Sequence, residues 1–212
     1  MTEHDPFGRG RVRRLFGLDR SAPPPPSTRK GEPFHPWTIP NAVGYLRLAA
    51  LPVFLVLAYN TEDGTSVASA MVYWAIAAGD YLDGILARIT GQYSRLGALL
   101  DPLVDRLTIL AGAVVCWSFD LLPHWALLLL ALREVAMLFL AQHGLRHGVD
   151  IEVNWPGRIS VFPIMGGIFL ALLAPGWVAT ALLIWGLVMA IIATVLYAQR
   201  GLRAVRDAQA AS

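Results

Sequence analysis

From Trp37 to Tyr197 long apolar runs alternate with short polar breaks. Their lengths are close to the ~20 residues a helix needs to cross a bilayer. The pattern predicts six helices, over about Asn41–Tyr59, Val67–Ile89, Leu96–Phe119, Trp125–His143, Ile159–Leu173 and Trp177–Tyr197. The fifth is short, and Pro163 either kinks it or starts it, because proline removes a backbone donor and crowds the preceding turn. Trp37, Tyr59, Trp117, Trp125, Trp155, Trp177 and Tyr197 fall near the proposed ends, where rings with an apolar body and a polar edge sit at a lipid–water boundary. Gly166, Gly167 and Gly186 predict places where helices approach closely.

Residues 1–36 are patterned differently. They hold seven basic residues (Arg9, Arg11, Arg13, Arg14, Arg20, Arg29, Lys30), four acids and the run Pro23–Pro26. The prolines exclude a continuous helix and predict an extended spacer. A cleaved signal peptide would need an apolar stretch after the charges, and polar, proline-rich sequence stands there. Arg9–Leu18 can form a basic amphipathic helix on anionic lipid, or the segment is a solvated tail. The domain organisation expected is a polar tail at 1–36, a six-helix domain at 37–199 and a basic tail at 200–212.

Basic residues also set an orientation. Besides the N-terminal seven, Arg88 and Arg95 lie in the second connection, Arg146 and Arg158 in the fourth, and Arg200, Arg203 and Arg206 at the C-terminal end. The first, third and fifth connections have none. This alternation predicts an all-α integral membrane protein with six transmembrane helices and both termini in the cytoplasm. The expected location is the cell (inner) membrane. Composition agrees: 56% of residues are hydrophobic and 15% charged, where soluble domains carry roughly 25% charged residues, and mean hydropathy is +0.53. That excludes a disordered chain. One cysteine, Cys116, excludes a disulfide-stapled domain, and a net charge of +2 gives no case for a nucleic-acid partner.

Against this background the second and third runs carry four aspartates. Asp80, Asp83, Gly84 and Ala87 share one face of a helix, with Arg88 one step beyond. Gly97, Asp101, Asp105, Thr108 and Gly112 share a face of the next, which either starts near Pro102 or is bent there. The two faces can meet antiparallel as a cup of carboxylates floored with small residues and open to the cytoplasm. An aspartate at the centre of a membrane helix costs about 2.5–3.5 kcal/mol, and four repel one another. Divalent cations remove both penalties. Carboxylates are hard ligands suited to Mg²⁺ or Mn²⁺, four can hold two ions, and such a pair can clamp a diphosphate. Arg88 can reach phosphate oxygens.

The arrangement D-x2-D-G-x2-A-R-x8-G-x3-D-x3-D, complete from Asp80 to Asp105, resembles the signature of the CDP-alcohol phosphatidyltransferase family. The resemblance spans roughly Trp37–Gln199 and includes Thr38-Ile39-Pro40-Asn41 and Leu46-Arg47, typical of branches making phosphatidylglycerolphosphate and cardiolipin. It implies a membrane enzyme, usually a homodimer, that displaces CMP from CDP-diacylglycerol with a glycerol-containing alcohol. By the same resemblance Asp80, Asp83 and Asp101 ligate the metals, Asp105 is both ligand and general base, and Gly84, Ala87, Arg88 and Gly97 line the donor site.

Several polar residues keep two readings. Asn41 is either a helix N-cap or a contact near the donor headgroup. Arg47 either snorkels or pairs with an aspartate. Arg133 either pairs with Glu134 or a neighbour, or forms an acceptor-phosphate site with Arg158, which otherwise anchors its helix by charge. Relatives using glycerol 3-phosphate commonly show a Gly-Lys-x-Lys-Thr-like stretch where this chain has Gly157-Arg158-Ile159-Ser160-Val161. The missing second basic residue favours phosphatidylglycerol, with one phosphate charge fewer, over glycerol 3-phosphate. An inositol-phosphate-type acceptor is the alternative within the family. Outside it, a cation transporter lined by the aspartates is the rival, but it gives no reason for the Gly84–Ala87–Arg88 spacing.

Overall fold

The computed structural model describes residues 36–90, 94–146 and 155–210. The N-terminal tail up to residue 35, with its proposed amphipathic helix at Arg9–Leu18 and proline spacer, lies outside the described residues. Those described form six helices and no strand. They are α1 (Ile39–Tyr59), α2 (Val67–Thr90), α3 (Arg95–Ser118), α4 (His124–Arg146), α5 (Trp155–Leu173) and α6 (Trp177–Ala210).

The six apolar runs correspond to these helices, and the departures are at ends and prolines. Thr38, not Asn41, caps α1: its Oγ1 accepts from the Asn41 amide at 3.3 Å and its carbonyl from that of Ala42. Asn41 is already in the first turn. Pro102 and Pro163 lie inside α3 and α5, so neither starts its helix. α5 begins earlier, at Trp155, with Pro156 in the first turn, where a missing N–H costs nothing. α6 continues past Tyr197 to Ala210, which makes the expected C-terminal tail largely helical.

Serines supply other starts. Ser66 Oγ accepts from the Ala68 amide at 3.1 Å to open α2, and Ser94 Oγ accepts from Gly97 N at 2.9 Å to open α3. In the α1–α2 connection Thr65 donates its amide and hydroxyl to the Asp63 carboxylate, which holds that exposed acid below its usual pKa. Gly64, at φ 75°, lies under Phe119, so a side chain there would meet both strain and the ring.

Two compact units emerge, each drawing on α1, α2 and α3. Of the described residues, the first joins those before Phe54 with those between Trp74 and Thr108, and the second joins Phe54–Tyr73 with those from Ile109 on. The second unit has the apolar interior, including Phe54, Tyr73, Leu127, Ile164, Ile168, Leu172 and Leu183. Here α5 and α6 touch backbone to backbone. A Cβ on Gly167 would stand 2.8 Å from Leu183 N and 2.9 Å from Ala179 O, and one on Gly186 would stand 2.8 Å from Ile164 N. These two glycines make the close approach read from the sequence. Gly166 does not, since a Cβ there meets nothing within 4 Å.

α1 and the stretch Trp177–Leu196 of α6 are long and apolar enough to cross a membrane, and only 28% and 33% of those windows are buried. The core helix of a soluble protein would be mostly buried. Large apolar side chains instead face outward, among them Val56, Trp74, Leu103, Val114, Leu132, Phe139, Phe162, Trp185 and Ile192. Trp37, Tyr59, Trp117, Trp125 and Trp177 are exposed near helix ends, as an interfacial belt requires.

Candidate active site

The aspartates belong to the first unit, which is held together by buried polar side chains. Asn41, 2% exposed, donates Nδ2 to the Pro36 carbonyl and accepts from Ser94 Oγ at 2.8 Å. Ser94 thereby ties the start of α3 to the first turn of α1. A Cβ on Gly97 would come within 2.7 Å of Asn41 Oδ1 and 3.2 Å of Ser94 Oγ. Gly97 is therefore small because Asn41 lies against it. Ser94 was not singled out in the sequence, although serine three residues before the first ordered amide of a helix is a capping signal.

Six residues further along α1, Arg47 points inward and is only 3% exposed. Its Nε donates to the Ile76 carbonyl at 2.8 Å. Its Nη2 donates to Asp105 Oδ1 at 2.5 Å, and its Nη1 lies 3.6 Å from Asp80 Oδ1. Arg47 pairs with aspartate and does not snorkel. Asp80 (48% exposed) on α2 and Asp105 (31%) on α3 thus converge on one cation. The Asp101 carboxylate is within electrostatic reach of Asp80 and Arg47. Thr108, on the same face of α3, is buried with its hydroxyl donated to the Val104 carbonyl at 2.7 Å. Gly84 and Ala87 are half-buried on α2. The side chains of Asp83 and Arg88 lie outside the described residues.

Not every small residue of the signature face serves this cluster. Gly112 belongs to the second unit, where a Cβ would collide with Ile168 and Tyr73 side chains. Its role is packing. Gly79, which the sequence reading passed over, is shaped by the cluster: a Cβ there would stand 2.7 Å from Arg47 Cδ and 2.9 Å from Cγ.

The acceptor candidates are in the second unit. Arg133 donates Nη1 to the carboxylate of Glu134 and Nε to Thr194 Oγ1 at 3.3 Å. With Glu134 buried, this is the internal pair that the sequence left open beside the phosphate-site reading. Arg158 falls in the first turn of α5, and its side chain is outside the described residues. His124 is exposed, pairs with Asp120 at 3.0 Å and stacks on Trp117.

The donor chemistry can be tested for a metal. Among the described residues no group of three or more His, Cys, Asp or Glu side chains is gathered tightly enough to hold an ion. Asp83 is outside that set. The oxygens of Asp80, Asp101 and Asp105 are hard donors suited to Mg²⁺ or Mn²⁺, and a guanidinium already stands between two of them. The carboxylates fit a site built for positive charge.

An all-helical membrane-type fold with carboxylates from two helices meeting at one cation is the frame in which family likeness can be judged. The CDP-alcohol phosphatidyltransferase family model matches residues 37–194. The chain belongs to that family and is a CDP-alcohol phosphatidyltransferase of phospholipid biosynthesis. It is 38% identical over 166 residues to the cardiolipin synthase (CMP-forming) of Streptomyces coelicolor, covering 76% of this chain and 77% of that protein. A putative cardiolipin synthase of Mycobacterium tuberculosis is 33% identical, covering 80% and 85%. A probable phosphatidylglycerophosphate synthase of the same organism is 35% identical over 58% and 59% of the two chains.

Proposed function

We propose that this enzyme transfers the phosphatidyl group of CDP-diacylglycerol to phosphatidylglycerol and releases CMP, forming cardiolipin. The convergence of Asp80 and Asp105, from different helices, on one buried cation carries the site reading. The choice of acceptor is supported by the longer match to cardiolipin synthases than to the phosphatidylglycerophosphate synthase. The single basic residue in Gly157-Arg158-Ile159-Ser160-Val161 supports it too. Glycerol 3-phosphate is the second acceptor to test.

In this reading Asp80, Asp83, Asp101 and Asp105 would hold two divalent cations, Mg²⁺ or Mn²⁺. Bound there, the ions would supply positive charge against the donor diphosphate. Asp105 takes the proton of the acceptor hydroxyl. The acceptor oxygen bonds to the lipid-linked phosphorus as the bond from that phosphorus to the CMP oxygen breaks, and CMP leaves with the electron pair. Gly84, Ala87, Arg88 and Gly97 line the donor side. Asn41 acts there through Ser94 and Gly97, because its own amide is already bonded. For the acceptor phosphate the reading names Arg133 and Arg158 from the sequence.

The outward apolar side chains and the distribution of basic residues support six transmembrane helices in the inner membrane, with both termini and the carboxylates on the cytoplasmic side. A homodimer belongs to the same proposal. The deciding experiment supplies CDP-diacylglycerol and Mn²⁺ to detergent-solubilised enzyme with either phosphatidylglycerol or glycerol 3-phosphate, and identifies the lipid formed. Cardiolipin is expected. Phosphatidylglycerolphosphate alone would move the enzyme to the other branch, and no CMP release with either acceptor would favour a transporter.

A further inference from the structure

Arg47 takes no step in the reaction above, yet it is heavily engaged in the first unit. It is buried, its stem lies against Gly79, and its guanidinium faces three oxygen partners, donating to the Ile76 carbonyl and Asp105 and lying in ion-pair range of Asp80. Two of these, Asp80 and Asp105, are carboxylates assigned to the metals. An Asp105 oxygen 2.5 Å from a guanidinium nitrogen has given that donor its best lone pair. A divalent ion on the same oxygen would also stand beside a fixed positive charge, in surroundings that screen it poorly.

From this geometry, and resting on the metal reading of Asp80 and Asp105, we infer that Arg47 is a resident counter-cation. It offsets part of the charge of the two carboxylates and positions them while no metal is bound, and divalent cations load by displacing it from Asp105. The Nε bond to the Ile76 carbonyl involves neither carboxylate, so it holds the guanidinium beside the site while the Nη end is exchanged. Arg47 is then a positioning residue that also sets metal affinity. The small size of Gly79 follows, because a methyl group there would push the arginine stem off its place.

The test uses the full chain in detergent, stripped with EDTA, and reads free Mn²⁺ by electron paramagnetic resonance together with thermal melting. In Arg47→Gln the carboxylates lose their counter-charge, so the metal-free protein melts lower. Mn²⁺ then binds with a dissociation constant roughly tenfold smaller than in wild type, since no charge-assisted bond has to be broken. The rise in melting temperature on adding Mn²⁺ is also larger than in wild type. Arg47→Lys, which keeps the charge but not the fork, falls between the two and carries the test should Arg47→Gln not fold. Mn²⁺ binding equal to or weaker than wild type in the variant that folds overturns the inference and leaves the metal site standing. Failure of the wild type to bind Mn²⁺ at all overturns the metal site, and the exchange with it.

Discussion

The two units face the same demand, to bring helices together within an apolar exterior, and meet it by opposite means. In the second, α5 and α6 touch at Gly167 and Gly186, and Ala171, Leu172, Leu183 and Ala190 on these helices are buried. Small residues let backbones approach and dispersion does the rest. In the first, Asn41, Arg47, Ser94 and Thr108 are buried and the contacts are hydrogen bonds and charges. Since α5 and α6 show that packing alone can join helices, the costly polar interior of the first unit calls for a different reason. Catalysis on a charged diphosphate supplies one. Among the described residues the second unit also has a buried polar group, Arg133–Glu134–Thr194, which makes it the place where the contrast can fail.

Variants should therefore separate activity from stability according to the unit they strike. Chelation comes first. EDTA should abolish CMP release and Mn²⁺ or Mg²⁺ should restore it; full turnover in EDTA would remove the catalytic reason for the polar unit. Asp105→Asn should lower turnover by about 10²–10⁴-fold, the usual contribution of a positioned base, while CDP-diacylglycerol still binds. Near wild-type CMP release would refute the assignment of the base.

Arg133→Ala sharpens the comparison most directly. The acceptor reading expects the KM for phosphatidylglycerol to rise several-fold, whereas a lower melting temperature at unchanged KM would make the Glu134 pair purely structural. Gly167→Ala should cost about 1–3 kcal/mol, the range for overpacking, because backbone atoms of Leu183 and Ala179 cannot yield as a side-chain tip can. Melting should drop with kcat retained. The smallest effect belongs to the adjacent position: Gly166→Ala meets open space and should gain up to about 1 kcal/mol of helix propensity. Equal losses at Gly166 and Gly167 would show that the α5–α6 contact is not what limits stability.

Helix number and approximate extent were legible because hydrophobic runs report on local chain, and a helix satisfies its own backbone. The ends were less so. Trp155–Arg158 and Ala198–Ala210 look polar beside the runs they extend, and hydrogen bonding within the chain continues the helix regardless of who faces outward. Of the two readings of Asn41 the cap fails, because Thr38 stands one turn earlier and accepts the Asn41 amide. Gly79 carried no signal of its own and matters only through Arg47 on another helix, whereas Ser94 is a local cap of α3 whose second bond, to Asn41, only packing reveals.

By itself the sequence determined the six helices, the family and the register that puts Asp80 with Asp83 on one face and Asp101 with Asp105 on another. The helices and the faces follow from periodicity within a single segment, and the family from the fixed spacing of the motif between Asp80 and Asp105. Tertiary structure alone decided which charges meet. Arg47 and Asp105 are 58 positions apart, and nothing local to either marks them as partners. Their pairing depends on how each helix is turned about its axis when packed, a rotation fixed by the sum of many contacts and not by any one stretch of chain.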